Sequence, residues 1–263
     1  MVYLRGFSFT NDSAMVTAPN QRTESSARNQ HLQHSVGPAL QLSRLRRIQS
    51  STYQQLFQAG RPALEDEWEL MSTSIQEMHR WWSELTDQIK RPIKILFRGD
   101  LLFSSILIMS PTGPAGTLNE YGKFLIFEYT VEYAELMCTV NVDPDQCILY
   151  TSHDVLRASF VARRFLTLLM DDSTLLFGDI MPRDQLLSRG GSPPLPAPLL
   201  TTFTRGVGEL VKRAHECLNL LERALEDLGS KTGNFSPLKE FRANSRRVRQ
   251  SLPLAGYPNW NGN

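Results

Sequence analysis

An apolar seam between residues 64 and 85 constrains the fold of this chain more than any other feature of its sequence. Its members recur at alternating steps of four and three, the spacing of a helix that buries one stripe. They are Leu64, Trp68, Met71, Ile75, Met78, Trp82 and Leu85. The seam fits either a dimeric coiled coil or a helix inside a bundle. Two bulky tryptophans over only about three heptads favour packing within the chain, so we expect Trp68 and Trp82 to be buried there.

Helical spacing also marks segments on both sides of this seam. Apolar residues at steps of three or four define one helix before it and a strongly amphipathic helix far after it. The first set is Leu42, Leu45, Ile48, Thr52 and Leu56, and the second is Val207, Leu210, Ala214, Cys217, Leu221, Leu225 and Leu228. Gly229 directly follows the last of these positions and is predicted to end its helix.

The middle of the chain predicts three more helices. One is an apolar run that ends near Met109. Thr117 and Glu120 have the spacing of a capping box, which starts a helix that continues to about residue 140. That helix is apolar nearly all round except for a stripe of Glu128, Glu132 and Glu135. Asp143 and Pro144 suit the start of a further helix, to about residue 170. Because no segment shows convincing strand alternation, the predicted fold class is all-α, with about five to six helices.

Composition divides the chain into three parts. Residues 1–36 are rich in Asn, Gln, Ser and Thr and are predicted to be a disordered lead-in. Residues 37–229 are predicted to form one all-α domain, interrupted by a Pro/Gly-rich loop at 187–200. Residues 230–263 are polar and basic and are predicted to be a loosely ordered tail. The basic residues of this tail are Lys239, Arg242, Arg246, Arg247 and Arg249.

Charge and cysteine usage narrow the classes of function. Lys plus Arg total 28 and Asp plus Glu total 27, so the net charge is only +1. That balance argues against nucleic acid as the main ligand. Cys138, Cys147 and Cys217 show no zinc-binding spacing and indicate a reducing compartment, the cytosol or the nucleus. The longest apolar run, at 101–109, is too short to cross a bilayer and the N-terminus lacks the pattern of a signal peptide, so no membrane association is expected.

Residues that could carry catalysis or bind a metal fit such roles poorly. Asp171 and Asp172 resemble part of an aspartate-rich magnesium motif, but the third aspartate is absent. His31 and His34 have helical spacing without further ligands, and Cys147 and His153 are six residues apart, a spacing that does not bring thiol and imidazole together. We therefore assign no catalytic, cofactor-binding, metal-binding or DNA-binding residue and expect neither a cofactor nor enzyme activity. The alternative hypothesis is a small helical enzyme or a hydrophobic-ligand-binding accessory protein, because an all-α body can enclose an apolar pocket.

Basic side chains cluster in two places. Arg44, Arg46 and Arg47 lie close together on the first helix, where they could contact phosphates or pair with neighbouring carboxylates. The lack of stacking aromatic residues and of a wider basic surface favours a solvated or ion-paired helix face. The sequence SRRVRQ, at 245–250, has the composition of a nuclear-import patch, which short basic runs often match by chance. His79, beside two tryptophans, is expected to be an exposed or half-exposed helix residue.

Four pieces of the sequence stand in an order that resembles a known family. They are LSRLRRIQSSTYQQLF (42–57), HRWWSEL (79–85), LLFSSILIMSP (101–111) and YTSHDVLRASFVARRFL (150–166). Together they resemble the middle homology region of fungal zinc binuclear cluster transcription factors, over about residues 34–171. The ordered combination is more specific than any one piece, including LRRIQS. The resemblance implies an all-α regulatory body, located in the nucleus, that contacts protein partners in the control of a gene cluster, such as one of secondary metabolism.

The sequence departs from that family in its cysteines. The family reads DNA with six cysteines that hold two zinc ions near the N-terminus, whereas the first cysteine here is Cys138. We therefore expect no zinc cluster and no direct, sequence-specific DNA binding. The expected partners are a full-length transcription factor or a second copy of the chain. The absence of the cluster is expected to reflect either evolutionary loss or a truncated gene product.

Overall fold

The computed structural model describes residues 24–58, 67–85, 89, 91–110, 118–140, 151–177 and 207–252. The regular structure within these ranges is helical, which confirms the predicted all-α class. In chain order the helices are α1 (Glu24–Phe57), α2 (Glu67–Ser83), α3 (Arg91–Ile108), α4 (Glu120–Val140), α5 (Ser152–Asp171), α6 (Ser173–Phe177), α7 (Val207–Thr232) and α8 (Ser236–Ser251). Within the described ranges, no helix combines the length and the apolar character that crossing a membrane requires.

Helix α4 lies at the centre of the fold. It packs against α3, α5 and α7. Its apolar character nearly all round explains this position, because such a helix must be covered on every face. Phe127 and Tyr129 of α4 are among the largest fully buried side chains, and the ring of Phe127 lies 5.5 Å from that of Phe165 on α5. The sequence KFLIFEYTVEY is therefore helical although it contains many residues that favour strands.

Helices α1 and α2 pair with each other and both pack against α3. The stripe predicted for α1 faces this interface, with Leu45, Thr52 and Leu56 buried and Leu42 and Ile48 partly buried against the core. The hydroxyl oxygens of Thr52 and Ser74 are 2.8 Å apart across the two helices. This hydrogen bond lets a polar residue occupy a buried position without leaving its hydroxyl unpaired.

The seam predicted for α2 is correct at its centre and only partly correct at its tryptophans. Met71, Ile75 and Met78 are buried within the chain as predicted, and Leu64 lies outside the described residues. Trp68 and Trp82 are only partly buried, whereas Trp81 is 2% exposed. The indole N–H of Trp81 donates to the backbone oxygen of Gln41 on α1 at 3.0 Å. Trp82 instead lies under the guanidinium of Arg98, whose Cζ atom is 5.3 Å from the centroid of the Trp82 ring. Trp82 therefore lies at the edge of the seam.

The starts of α4 and α5 differ from those that the sequence predicts. Asn119 caps α4, because its side-chain oxygen accepts the backbone N–H of Gly122 at 2.8 Å. Thr117, the cap that the sequence predicts, lies outside the described residues. Helix α5 begins at Ser152, and the carboxylate of Asp154 accepts both the backbone N–H and the hydroxyl of Thr151, each at 2.8 Å. The start predicted at 143–144 lies outside the described residues.

The end of α7 lies three residues beyond the predicted glycine. Gly229 remains helical, and the chain turns at Gly233, whose φ of +74° is in the left-handed region. The backbone N–H of Gly233 donates to the oxygen of Gly229 at 2.8 Å, as in an αL helix end. Gly229 serves a different purpose, because an added Cβ would lie 2.8 Å from the ring of Phe235. A side chain there would push Phe235 away from α7.

The prediction of a loosely ordered tail from residue 230 onward is wrong for the residues that form α8. This helix packs against α5 and α7. Its buried positions, Leu238, Phe241, Ser245 and Val248, recur at steps of three and four between the basic residues. Arg242 joins Glu222 at 2.7 Å, so the basic composition that suggested disorder also ties α8 to α7. Residues 253–263 lie outside the described residues.

The N-terminal boundary also differs from the prediction. Helix α1 begins at Glu24, so 24–36 is helical, whereas the composition of this segment predicts a disordered lead-in. Extending an existing helix avoids the cost of nucleation, so a polar segment can continue one whose later turns are packed. Residues 1–23 and the predicted loop at 187–200 lie outside the described residues.

Candidate interaction surface on helices α1 and α2

The three arginines that stand out in the sequence of α1 have three different surroundings. Arg44 is exposed, and its guanidinium lies 2.8 Å from the carboxylate of Glu84 at the end of α2. Since the side chains of this pair are 52% and 46% exposed, solvent screens their attraction. The pair is therefore weak and open to exchange with another anion.

Arg46 is held by a buried carboxylate. It donates to one oxygen of Asp100 on α3 at 3.0 Å, while Arg157 of α5 donates to the other oxygen at 2.6 Å. Asp100 is only 8% exposed, so its negative charge needs this compensation. A single carboxylate on α3 thereby joins α1 to α5. This arginine is part of the scaffold, in agreement with the ion-paired alternative that its sequence favours.

Arg47 lies in a groove between α1 and α2. The groove has a volume of about 230 Å³ and is open to solvent. It is lined by Arg44, Arg47 and Ile48 from α1, by Glu77, Arg80 and Trp81 from α2, and by Glu84 directly after α2. We call this set of residues the α1–α2 groove. Three guanidinium groups and two carboxylates line it, so its walls carry an excess of one positive charge.

The base of the α1–α2 groove is packed against the core. Trp81 is buried, is hydrogen-bonded to α1, and lies 5.5 Å from the ring of Phe97 on α3. Ile48 packs against the same core. The two helices are antiparallel, since Arg44 meets Glu84 near one end and the Thr52–Ser74 hydrogen bond lies further along. Charged side chains thus stand on both rims of a fixed apolar base.

A second polar cluster, which the sequence does not predict, lies where α2, α3 and α4 meet. The Nε2 atom of His79 is 2.8 Å from the hydroxyl oxygen of Tyr129. Burial, with a further contribution from the charge of Arg98, lowers the pKa of His79 to about 4. Burial raises the pKa of Tyr129 far above its usual value. His79 is therefore a neutral, partly buried hydrogen-bonding group.

Two glutamates of α4, Glu128 and Glu132, form ion pairs with arginines of neighbouring helices. Arg98 of α3 donates to both carboxylate oxygens of Glu132, at 2.5 and 2.6 Å. Arg213 of α7 does the same with Glu128, at 2.7 and 3.0 Å. Two members of the predicted polar stripe therefore join α4 to its neighbours, and Glu135 remains exposed. The cluster has the character of a structural network.

The remaining candidates from the sequence do not come together as a site. Asp172 is paired with Lys123 at 2.6 Å, and within the described ranges no three His, Cys, Asp or Glu residues lie close enough to hold a metal ion. His153 is exposed, and Cys147, His31 and His34 fall where no side chain is described. Burial raises the pKa of the thiols of Cys138 and Cys217, so both are protonated at neutral pH.

One small cavity lies between α5, α7 and α8. Its volume is about 20 Å³, and Ala162, Leu166, Leu225 and Phe241 are among its lining residues. That is room for about one water molecule and no organic ligand. The α1–α2 groove is more than ten times larger and is the stronger candidate for an external ligand.

Comparison of this chain with family models, with curated proteins and with solved structures finds no match in any of the three. The resemblance to the middle homology region therefore rests on the four sequence pieces alone.

Proposed function

We propose that this chain is a regulatory body of the transcription-factor type, which acts in the nucleus through protein contacts and performs no catalysis. The resemblance of its four ordered sequence pieces to the middle homology region motivates this function. The observation that supports it most is that LRRIQS belongs to helix α1, which packs against the rest of the chain. Leu45 is fully buried, and Arg46 is bound to Asp100 of the same chain.

The surroundings of α1 favour protein contacts over DNA reading. A helix that reads DNA presents its basic residues to phosphates and bases. Here Arg46 faces an internal carboxylate, and Arg47 shares its groove with Glu77 and Glu84. Those carboxylates would repel a phosphate backbone. The proposed partners are a full-length transcription factor or a second copy of the chain, in the control of a gene cluster.

A tethering experiment tests this function. The full chain is fused to a heterologous DNA-binding domain in yeast, with the matching operator upstream of a reporter gene. We expect reporter output to differ from that of the DNA-binding domain alone. Leu45→Asp, which places a charge in the core, should return the output to that reference at equal protein abundance. Output equal to the reference for the unaltered chain would overturn the proposal.

Measurements of zinc content and of DNA binding test whether the chain acts without reading DNA itself. We expect the purified full chain to contain no stoichiometric zinc and to bind DNA weakly, without sequence preference, and with loss at moderate salt. Tight binding to one DNA sequence at physiological salt would contradict a function through protein contacts.

A further inference from the structure

We propose that the α1–α2 groove binds an acidic, amphipathic segment of a protein partner. This inference rests on the proposed function, because it supplies a surface through which the regulatory body contacts that partner. The observations that carry it are the charges on the two rims, the apolar base between them and the exposure of the one ion pair across the groove.

The positive charges are placed to receive separate carboxylates. Arg44 and Arg47 are three residues apart, so their side chains lie on the same face of α1, one turn apart. Arg80 stands on the opposite rim, on α2. Guanidinium groups bind carboxylates through paired hydrogen bonds, so each arginine offers a directed contact. Three such contacts across two rims suit a segment that carries acidic residues on successive turns.

The negative charges of the groove select against a continuous polyanion. Glu77 and Glu84 lie three residues before and four residues after Arg80 on the rim formed by α2. A nucleic acid has a phosphate at every nucleotide and would bring several of them against these carboxylates. A peptide can place its acidic residues opposite the arginines and uncharged or basic residues opposite the glutamates. Mixed charge therefore favours a peptide.

The base of the groove adds an apolar requirement. Ile48 and the edge of Trp81 lie between the charged rims. Leu40, one turn before Arg44 on α1, is 60% exposed. A segment that lies along the groove thus meets apolar surface at its base and at one end. The matching partner segment has apolar residues on one face and acidic residues beside them, as in helices that dock into grooves.

The ion pair that crosses the groove does not block such a segment. Arg44 and Glu84 are about half exposed and make a single close contact. Exposed pairs of this kind contribute little to stability. Arg44 can therefore exchange the carboxylate of Glu84 for one from the partner, and Glu84 returns to solvent.

The test uses the full chain and a designed probe. The probe is a fluorescein-labelled helical peptide of about 16 residues, long enough for four turns, with Glu at every third or fourth position and Leu on the adjoining face. Fluorescence anisotropy measures its Kd at low and at physiological salt. The comparison ligands are the same peptide with Lys in place of Glu, a single-stranded DNA oligonucleotide of equal charge, and inorganic phosphate. We expect the acidic peptide to bind more tightly than all three.

Charge reversal in the groove is paired with a matched control elsewhere. Arg47→Glu and Arg80→Glu are each expected to weaken binding of the acidic peptide at least about tenfold, the size of one lost charged contact. Arg246→Glu makes the same change on the exposed side of α8 and should leave the Kd unchanged. Since all three side chains are exposed, circular dichroism and melting temperature should stay near those of the unaltered chain.

Several results would overturn the inference. One is the absence of binding at low salt, and another is an equal loss of affinity in Arg246→Glu. Tighter binding of the oligonucleotide, with the same dependence on Arg47 and Arg80, would assign the groove to nucleic acid instead. Failure here is distinct from failure of the proposed function. If the tethered chain alters reporter output and the peptide does not bind, the groove is not the docking surface, while the proposed function stands.

Discussion

The α1–α2 groove and the interfaces of α4 use the same pair of residue types for different purposes. Arg213 and Glu128, between α7 and α4, are 17% and 7% exposed and share two hydrogen bonds. Arg44 and Glu84, at the groove, are about half exposed and share one. Burial makes the first pair costly to break, because each of its charges has little access to water. Exposure makes the second pair replaceable, which leaves its arginine available to a ligand.

Removal of Glu128 is expected to have the largest effect. Glu128→Ala removes the carboxylate that accepts two hydrogen bonds from the largely buried guanidinium of Arg213, and we expect a loss of about 3–5 kcal/mol in the free energy of unfolding. Urea denaturation at neutral pH measures it. The double variant Glu128→Leu with Arg213→Met removes both charges and should recover most of this loss. A single variant as stable as the unaltered chain would show that the buried pair is no more costly to break than the exposed one.

Trp81 should contribute more than Trp82 to the free energy of unfolding. Trp81→Ala empties a buried site between α1 and α3 and removes the hydrogen bond to Gln41, so we expect a cost of about 3–4 kcal/mol. Trp82→Ala removes a partly buried side chain and should cost about half as much. The two variants share one measurement, the midpoint and slope of denaturation. Equal losses, or a larger loss at Trp82, would contradict the assignment of Trp81 as the base of the groove.

His79 gives stability a dependence on pH. Its pKa is lowered to about 4 in the folded chain, below the unperturbed value of 6.5, because burial and the charge of Arg98 disfavour protonation. Its contribution is therefore fully present above about pH 6.5 and is lost as pH falls toward 4. Tyr129 and Glu132 also face this cluster. Relative to His79→Gln, the unaltered chain should lose about 2–3 kcal/mol over that interval. Parallel curves for the two proteins would show that His79 is not the group responsible.

Removal of Glu84 is expected to have the smallest effect on stability. Glu84→Ala breaks the exposed pair with Arg44 and should change the free energy of unfolding by less than about 1 kcal/mol. The same variant raises the positive charge of the α1–α2 groove, so it should tighten binding of the acidic peptide. Denaturation and anisotropy on one preparation measure both effects. A loss comparable to that of Glu128→Ala would remove the distinction between the two pairs.

Much of the helical framework could be predicted because it depends on local periodicity. The stripe Leu45–Thr52–Leu56 of α1 and the centre of the α2 seam face the core as their spacing requires. The predicted positions of α7 from Leu210 to Leu228 are likewise buried. Errors concentrate at helix ends, where a side chain outside the pattern decides the outcome. Asn119 caps α4, and Gly233 rather than Gly229 ends α7.

The candidate site could be predicted only in part. The sequence places three arginines on α1 and leaves two roles open to them, phosphate contact or ion pairing. Their actual roles depend on residues from 40 to 54 positions away, since Arg44 meets Glu84 and Arg46 meets Asp100. Glu77 and Arg80, which complete the groove, have no feature in the sequence that links them to α1. Periodicity identifies the face of a helix but not the neighbour that the face meets.

The helical character of this chain and the faces that its main helices bury follow from the sequence, because backbone hydrogen bonding and the period of about 3.6 residues are local properties. Which charges join helices together and which stay exposed follows only from the packing of the helices. The basic residues 239–249 show this most clearly, since Arg242 and Arg249 are held by Glu222 while Arg246 and Arg247 face solvent. The fate of a charge depends on its burial and on the opposite charges near it, and both arise only when distant helices pack together.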